Sequence, residues 1–271
     1  MEHITVVGMG NMGKAFARRA ASQGFNVFWW NRTREKVRDV PGTPISKLAD
    51  AKGLVVVFVA DDKALFDVLP EVGGNYVALS GTYSVDGVRR AVEMLTARGR
   101  ESFAMPVVGS PRNVEAGDAI YIVGAPDDVY TKLRLTLEKF GVLFHVGDSV
   151  KAAALKLAYN SLLISTVAVL GESLSLASKY GVKPDVFREL LSHTVFKDFA
   201  ARYIDRMLGG GTPTFTIKNA AKDVRYASLA AGEAEAGNVA ISGVKALYEL
   251  LTAMGYGDED YVKAGVLAGR K

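Results

Sequence analysis

The chain has 271 residues, of which 49% are hydrophobic and 23% charged, a balance typical of a soluble globular protein with one large or two modest domains. It contains no cysteine, which excludes disulfides, thiolate metal sites, iron–sulfur clusters and cysteine nucleophiles. The net charge of +4 is dispersed and includes no long basic run, so we expect a small-molecule ligand and no nucleic-acid partner.

The histidines and the apolar runs exclude further classes. His3, His145 and His193 are far apart in sequence and lack the spacing of metal ligands, so we expect no metal site. The longest apolar run in the first half, Leu54–Ala60, is too short to span a bilayer. A strand pattern begins almost at the first residue, without the features of a signal peptide, so we expect a cytoplasmic protein without a membrane segment.

The first half of the sequence alternates short apolar runs with helix-length amphipathic segments. Buried runs that alternate with helices predict βαβ units and a mainly parallel sheet. The predicted strands are Ile4–Val7, Val27–Trp30, Leu54–Ala60, Tyr76–Ser80, Ser102–Met105, Ala119–Val123 and Val142–Val146. The predicted helices include Met12–Gln23, Val85–Arg98 and Pro126–Phe140.

The first predicted strand runs into Gly8-Met9-Gly10-Asn11-Met12-Gly13, a G-x-G-x-x-G turn that opens the first predicted helix. In this setting the glycines allow a tight turn and a close approach of the backbone to a pyrophosphate. The helix N-terminus adds N–H groups and partial positive charge. A P-loop fits less well, because Ala15 follows Lys14 where that motif has a Mg²⁺-binding hydroxyl. The segment therefore predicts a dinucleotide-binding loop.

The second predicted strand is followed by Asn31, Arg32 and Thr33, with Lys36 close behind. Domains that bind NAD usually place a carboxylate here for the ribose 2′-hydroxyl, and a carboxylate repels a 2′-phosphate. Donor side chains attract that phosphate, and an arginine can clamp it while stacking on adenine. The sequence therefore predicts NADP (NADPH) as the cofactor.

After residue 148 the pattern becomes helical. Val150–Tyr180 predicts one long helix, with Gly181 placed to end it and Pro184 to start the next. Lys218–Ala236 and Val239–Met254 are also predicted helices. We therefore predict an α/β, Rossmann-type domain with a mainly parallel sheet at residues 1–148. An all-α domain built around a long central helix follows at residues 149–271.

The long helix is apolar almost all round from Leu162 to Leu170. Such a helix is buried, either at the centre of its own domain or also at a subunit interface. We expect a homodimer or a homotetramer.

These features make the sequence resemble the β-hydroxyacid dehydrogenase family, which includes 3-hydroxyisobutyrate dehydrogenases and glyoxylate or succinic semialdehyde reductases. Gly8–Gly13 matches the cofactor loop of the family, and Asn31-Arg32-Thr33 with Lys36 resembles its NADP-preferring members. The resemblance covers nearly the whole chain. It implies an NADP-dependent oxidoreductase whose substrate is a small β-hydroxyacid or its semialdehyde, with a carboxylate.

The predicted long helix carries Lys156 and Asn160, which resemble the catalytic pair of the family. The resemblance implies that Lys156 is the general acid/base and that Asn160 orients it and the substrate. A spacing of four residues places both on one helical face. Without the resemblance, a lysine that extends its ammonium to solvent is the simpler interpretation of Lys156.

Two further segments resemble parts of the family that border the nicotinamide and the substrate. One begins at Phe215 and ends in Lys222-Asp223, and the other is the turn that contains Thr82. The resemblance implies that Phe215, Lys222 and Thr82 contact the cofactor, that Asp223 contacts the substrate, and that the second domain closes the cleft.

The predicted substrate loop departs from the family pattern. In Pro106-Val107-Val108-Gly109-Ser110, Val108 replaces a serine that bonds the substrate carboxylate. A valine side chain cannot donate that hydrogen bond, which removes about 1–3 kcal/mol of polar recognition. We still expect Val108, Gly109 and Ser110 to contact the substrate, the last two through backbone N–H groups.

Three functions remain open at this point. The first is the NADP(H)-dependent oxidoreductase described above. The second is an NADPH-dependent imine reductase, which explains the apolar Val108 but often carries Asp or Tyr in place of Lys156. The third is a non-catalytic NADP-binding sensor module, which has no need of the Lys156/Asn160 pair.

Overall fold

The computed structural model describes residues 1–269. The chain divides into two compact units, one ending at Lys156 and the other beginning at Leu157. This division lies inside a continuous helix, Ser149–Lys179, whereas the sequence placed a domain boundary at residue 148. Each unit has an apolar core of its own.

A six-stranded sheet forms the centre of the first unit. Its strands are β1 His3–Val7, β2 Asn26–Trp30, β3 Thr43–Pro44, β4 Leu54–Val57, β5 Tyr76–Leu79 and β6 Glu101–Ala104. They lie in the order β3-β2-β1-β4-β5-β6, and every neighbouring pair is parallel. Alternate residues of a strand enter different apolar cores: Ile4 and Val6 lie in one, Val7 in the other. Both faces of the sheet are thus covered, as a parallel sheet requires.

Helices of the first unit pack into the same two apolar cores. They are α1 Asn11–Ser22, α2 Asp62–Val68, α3 Val85–Thr96, α4 Pro111–Ala116 and α5 Asp127–Leu137. Hydroxyl and carboxylate side chains cap several of them: Asp61 accepts the Ala64 N–H and Ser84 accepts the Gly87 N–H. Such caps satisfy backbone donors that the first turn of a helix leaves unpaired.

A smaller sheet completes the first unit. It consists of β7 Val107–Val108, β8 Ile120–Val123 and β9 Val142–His145. β7 is antiparallel to β8, and β8 is parallel to β9. The predicted fold class and its seven strands are confirmed, but β3 and β7 were not predicted because two residues give no readable periodicity. β7 lies in the predicted substrate loop, residues 106–110.

The second unit is helical. The helices of this half are α6 Ser149–Lys179, which begins in the first unit, α7 Pro184–Ser192, α8 Lys197–Leu208, α9 Ile217–Glu233, α10 Val239–Leu251 and α11 Ala264–Ala268. The core includes Val167, Ile204, Val224 and Tyr248. Gly181 follows α6 with a φ of 83°, the left-handed conformation expected of a glycine that ends a helix.

The central helix α6 is long and apolar enough to cross a membrane, judged by length and composition alone. Half of that apolar stretch is buried, and the core helix of a soluble protein meets the same criterion. Leu162, Val169 and Leu176 are exposed on it at intervals of seven residues. The homodimer or homotetramer stays a prediction.

Replacing Tyr248 by Phe is expected to lower the free energy of unfolding by about 1 kcal/mol, because a buried hydrogen bond is lost. The Tyr248 hydroxyl is buried and donates to the Tyr261 carbonyl at 3.0 Å. Urea unfolding followed by circular dichroism measures the change. Tyr180→Phe is the control, since Tyr180 is exposed. Equal stability of Tyr248→Phe and the unmodified protein contradicts this prediction.

Candidate functional site

The predicted phosphate loop joins β1 to α1. Gly8 has a φ of 95°, and its N–H donates to the Trp30 carbonyl at 2.9 Å. α1 begins at Asn11 with Gly10 as its N-cap, and a glycine offers no side chain to the free N–H groups of the first turn. The loop follows β1 where the strand order reverses between β1 and β4, the usual ligand position in such sheets.

The three glycines of this loop meet different surroundings. A Cβ on Gly13 would overlap the Gly8 carbonyl oxygen, and a Cβ on Gly8 would lie 2.8 Å from the Phe58 carbonyl oxygen. A Cβ on Gly10 would meet only open space. The protein itself therefore requires glycine at residues 8 and 13, while Gly10 leaves a cradle beside the helix N-terminus. This arrangement fits the pyrophosphate of a dinucleotide.

Asn31 connects the end of β2 to the phosphate loop. Its Oδ1 accepts the Met9 N–H at 2.9 Å, and its Nδ2 donates to the Thr33 carbonyl at 2.9 Å. Arg32 and Lys36 are exposed beside it. Asn31 thus fixes the backbone here, while the two cations remain accessible to an anion.

The predicted Thr82 lies after β5, half-buried in a loop at the carboxyl edge of the sheet. Its neighbours hold this loop: Tyr83 donates to the Val59 carbonyl at 3.2 Å, and Ser84 donates to Asp62 at 2.5 Å. Burial raises the pKa of the Tyr83 hydroxyl, which therefore remains a donor. Asp62 was not among the predicted residues, although its position beside the cap of α2 is a readable signal.

Lys156 is buried, with 8% of its surface exposed. Its Nζ donates to the Val107 carbonyl at 2.6 Å, so the side chain does not extend to solvent. Val107 belongs to β7, the strand that enters the predicted substrate loop. A backbone carbonyl has no sequence signature, so this partner of Lys156 cannot be predicted from the sequence.

The predicted substrate residues follow directly. Val108 is half-buried at the end of β7, and Gly109 and Ser110 are exposed. Ser110 is the N-cap of α4: its Oγ lies 2.6 Å from Asn113 Oδ1, and its N–H donates to the same oxygen at 2.9 Å. The Ser110 N–H, which we expected to contact the substrate, is thus engaged within the loop, and so is the Ser110 hydroxyl.

In the second unit the structure brings together three predicted residues. Asn160 is 6% exposed, and its Nδ2 donates to Asp223 Oδ2 at 2.7 Å. Asp223 is 1% exposed, and its other oxygen lies 3.0 Å from the Lys222 ammonium. Lys222 also lies over the Tyr226 ring, with Nζ 5.3 Å from the centroid. The buried carboxylate is therefore neutralised and hydrogen-bonded, as burial of a charge requires.

Two other predictions concern Phe215 and metals. Phe215 packs edge-on against Tyr261 in the second unit, with ring centroids 5.0 Å apart. Within residues 1–269, the His, Cys, Asp and Glu side chains form no group of three that could hold a metal ion.

Two family models match the chain, one after the other. Residues 3–147 match the NAD binding domain of 6-phosphogluconate dehydrogenase. Residues 151–265 match the NAD-binding domain of NADP-dependent 3-hydroxyisobutyrate dehydrogenase. Both halves thus match dehydrogenases that use a nicotinamide cofactor.

Individual proteins of known identity are also similar. Glyoxylate/succinic semialdehyde reductase 2 of Arabidopsis thaliana is 27% identical over 95% of this chain and 77% of its own length. A Mycobacterium tuberculosis 3-hydroxyisobutyrate dehydrogenase, solved with L-serine, has a TM-score of 0.84 at 19% identity and 100% coverage of both chains. A reductive aminase from Aspergillus terreus, solved with NADPH and ethyl levulinate, has a TM-score of 0.64 at 20% identity, covering 97% of this chain and 98% of its own.

Two alanine variants separate the roles of the loop glycines. Gly13→Ala is expected to destabilise the fold by about 2 kcal/mol or more, because its Cβ overlaps the backbone of Gly8. Gly10→Ala should cost under about 1 kcal/mol of stability. It should nevertheless weaken binding of NADPH, because the methyl group fills the cradle. Urea unfolding and a fluorescence titration with NADPH measure the two effects, and unchanged NADPH affinity in Gly10→Ala contradicts the assignment.

Proposed function

The chain belongs to the β-hydroxyacid dehydrogenase family, and from this premise we propose that it is an NADP(H)-dependent oxidoreductase. It interconverts a small β-hydroxyacid and the corresponding semialdehyde or keto form. The single observation that carries the proposal is the buried Lys156, whose ammonium is held by the Val107 carbonyl at the start of the predicted substrate loop.

The residues proposed to hold the phosphates of the cofactor lie in the first unit. Gly8, Gly10 and Gly13 and the N-terminus of α1 receive the pyrophosphate, and Arg32 and Lys36 receive the 2′-phosphate. Thr82, Phe215 and Lys222 are further proposed contacts. A bound nicotinamide would supply the hydride transfer to or from the substrate carbon.

Lys156 carries the proton in this proposal. In reduction its Nζ donates a proton to the substrate oxygen, and in oxidation it receives one from the hydroxyl. The Val107 carbonyl accepts a hydrogen bond from one of the three N–H groups of the ammonium and thereby fixes the direction of the other two N–H groups. Burial excludes water from the amine, which favours proton exchange with the substrate.

Asn160 lies one helical turn after Lys156 and orients the substrate. Its amide direction is determined by Asp223, because a carboxylate accepts hydrogen bonds and therefore faces the Nδ2 of Asn160. We propose that Asp223, which is almost fully buried, acts through Asn160. The ammonium of Lys222 lies 3.0 Å from the other carboxylate oxygen of Asp223.

The substrate is a small carbonyl compound with a carboxylate, recognised in this proposal beside Val108, Gly109 and Ser110. Glyoxylate and succinic semialdehyde, the substrates named for the Arabidopsis relative, are the first two to assay. Oxidation of NADPH followed at 340 nm with each compound tests the proposal. Tight binding of NADPH without turnover of any aldehyde, keto acid or imine favours the non-catalytic sensor module.

A second candidate function is reduction of imines. Val108 offers no hydrogen-bond donor in its side chain, and the hydroxyl and N–H of Ser110 are engaged by Asn113. These contacts leave few groups for a carboxylate, and the reductive aminase shares the fold. A panel of cyclic imines beside the two aldehydes separates the candidates.

Replacing Lys156 by Met is expected to lower kcat by about 10²- to 10⁴-fold, because the proton donor is lost while the apolar volume is kept. NADPH affinity should remain within about threefold of the unmodified protein, since the cofactor keeps its phosphate contacts. Lys151→Met is the matched control: Lys151 lies on the same helix, exposed and paired with Asp148. Retained turnover in Lys156→Met contradicts the proposed mechanism.

Replacing Arg32 by Glu is expected to raise the KM for NADPH by about ten- to a hundredfold, because a carboxylate repels the 2′-phosphate. The KM for NADH, which lacks that phosphate, should change little. Arg38→Glu introduces the same charge at another exposed residue and serves as the control. An equal change for both cofactors in Arg32→Glu indicates a general effect on the loop and rejects Arg32 as the 2′-phosphate contact.

A further inference from the structure

Ser149 is a buried serine at the start of α6, with 9% of its surface exposed. Its Oγ accepts the Ala104 N–H at 2.9 Å and donates to the Gly124 carbonyl at 2.9 Å. A serine at a helix start ordinarily caps its own helix. Here Asp148 already accepts the Lys151 N–H at 2.8 Å, and the Ser149 hydroxyl bonds to strand ends instead.

These strand ends form a bridge between the two sheets of the first unit. Ala104 ends β6, Gly124 follows β8, and the two form an isolated antiparallel bridge. A directly bonded antiparallel pair exchanges two N–H···O bonds. Gly124 donates to the Ala104 carbonyl at 2.8 Å, whereas the reciprocal bond runs through the Ser149 hydroxyl. The Ser149 hydroxyl thus lies between the Ala104 N–H and the Gly124 carbonyl and joins them by two hydrogen bonds.

Gly124 has no side chain, which allows α6 to come close enough for the Ser149 hydroxyl to reach the bridge. A Cβ on Gly124 would overlap the Asp148 carbonyl and lie 2.7 Å from the Cβ of Ala152. The first turn of α6 therefore packs directly on the backbone of residue 124, and Ala152 and Ala153 are buried behind Ser149.

Lys156 bonds to the same stretch of chain, which runs from the end of β6 at Ala104 into β7 at Val107. Ser149 and Lys156 are seven residues apart, or about 10.5 Å along a helix. Their partners, Ala104 and Val107, are three residues apart, or about 10 Å in an extended chain. The two hydrogen bonds thus fasten α6 to the Ala104–Val107 segment at two points of matching separation.

We propose that Ser149 is a positioning residue that fixes the Lys156 ammonium relative to the Val107 carbonyl and the predicted substrate loop. The catalytic part of this inference rests on the proposed function of Lys156, whereas the geometric part stands without it. Loss of the Ser149 hydroxyl frees the first turn of α6 from the bridge, and the ammonium two turns later loses its fixed position.

Ser149→Ala tests this inference, and Thr5→Val is the matched control. Thr5 is buried in β1, and its hydroxyl likewise accepts one N–H and donates to one carbonyl, both of Lys52. Ser149→Cys, which keeps the volume but bonds weakly, replaces Ser149→Ala if that variant does not fold. Two quantities are measured: the acetylation rate of Lys156 in the cofactor-free protein by mass spectrometry, and kcat and KM for NADPH oxidation.

In Ser149→Ala we expect Lys156 to be acetylated about tenfold faster and kcat to fall by about ten- to a hundredfold, as for a displaced reacting group. The KM for NADPH should stay unchanged, and Thr5→Val should alter neither acetylation nor kcat. Ser149→Ala behaving like Thr5→Val in both measurements overturns the inference. If Lys156 is acetylated faster in Ser149→Ala but kcat is unchanged, the positioning role of Ser149 is supported. If Lys156→Met is active as well, the proposed function of Lys156 is rejected.

Discussion

The burial of the Lys156 ammonium against the Val107 carbonyl is the interaction on which the candidate site of the first unit depends. A charged amine removed from water is stable only where a fixed acceptor replaces the lost hydration. Val107 provides such an acceptor because β7 is paired with β8, and β8 is bridged to β6 through Ala104 and Gly124. The antiparallel strand β7 therefore not only extends the smaller sheet but also holds the carbonyl oxygen to which the Lys156 ammonium donates.

The larger sheet carries the predicted phosphate loop, which in this proposal binds the cofactor through backbone groups and not through a buried charge. In this proposal its phosphate loop offers backbone N–H groups and an open space at Gly10 to an anion, without a buried side-chain charge. Asn31 links this loop to the end of β2, which places the segment proposed to discriminate between cofactors and the predicted phosphate loop in one hydrogen-bonded arrangement. Of the basic residues, only those at the end of β2 are assigned to phosphate recognition in this proposal.

The second unit contains a buried group of the opposite charge, the carboxylate of Asp223. Asp223 accepts a hydrogen bond from the amide of Asn160 and is ion-paired with the ammonium of Lys222, and the first of these contacts determines which way the Asn160 amide points. The sequence resemblance suggested that Asp223 contacts the substrate directly. Its almost complete burial favours an indirect role, in which one buried acid orients a neutral side chain.

The sequence by itself determined the fold class, the phosphate loop and the long central helix, because each depends on local periodicity and on glycines in a fixed pattern. It also supplied Lys156 and Asn160, through the resemblance and their helical spacing. It could not supply the acceptor of Lys156, the capping role of Ser110 or the bridge through Ser149. Those contacts join residues 3 to 49 positions apart and several involve backbone atoms, which every residue possesses. Only the tertiary structure, by bringing strand ends and a helix start together, decided which of these common groups became partners.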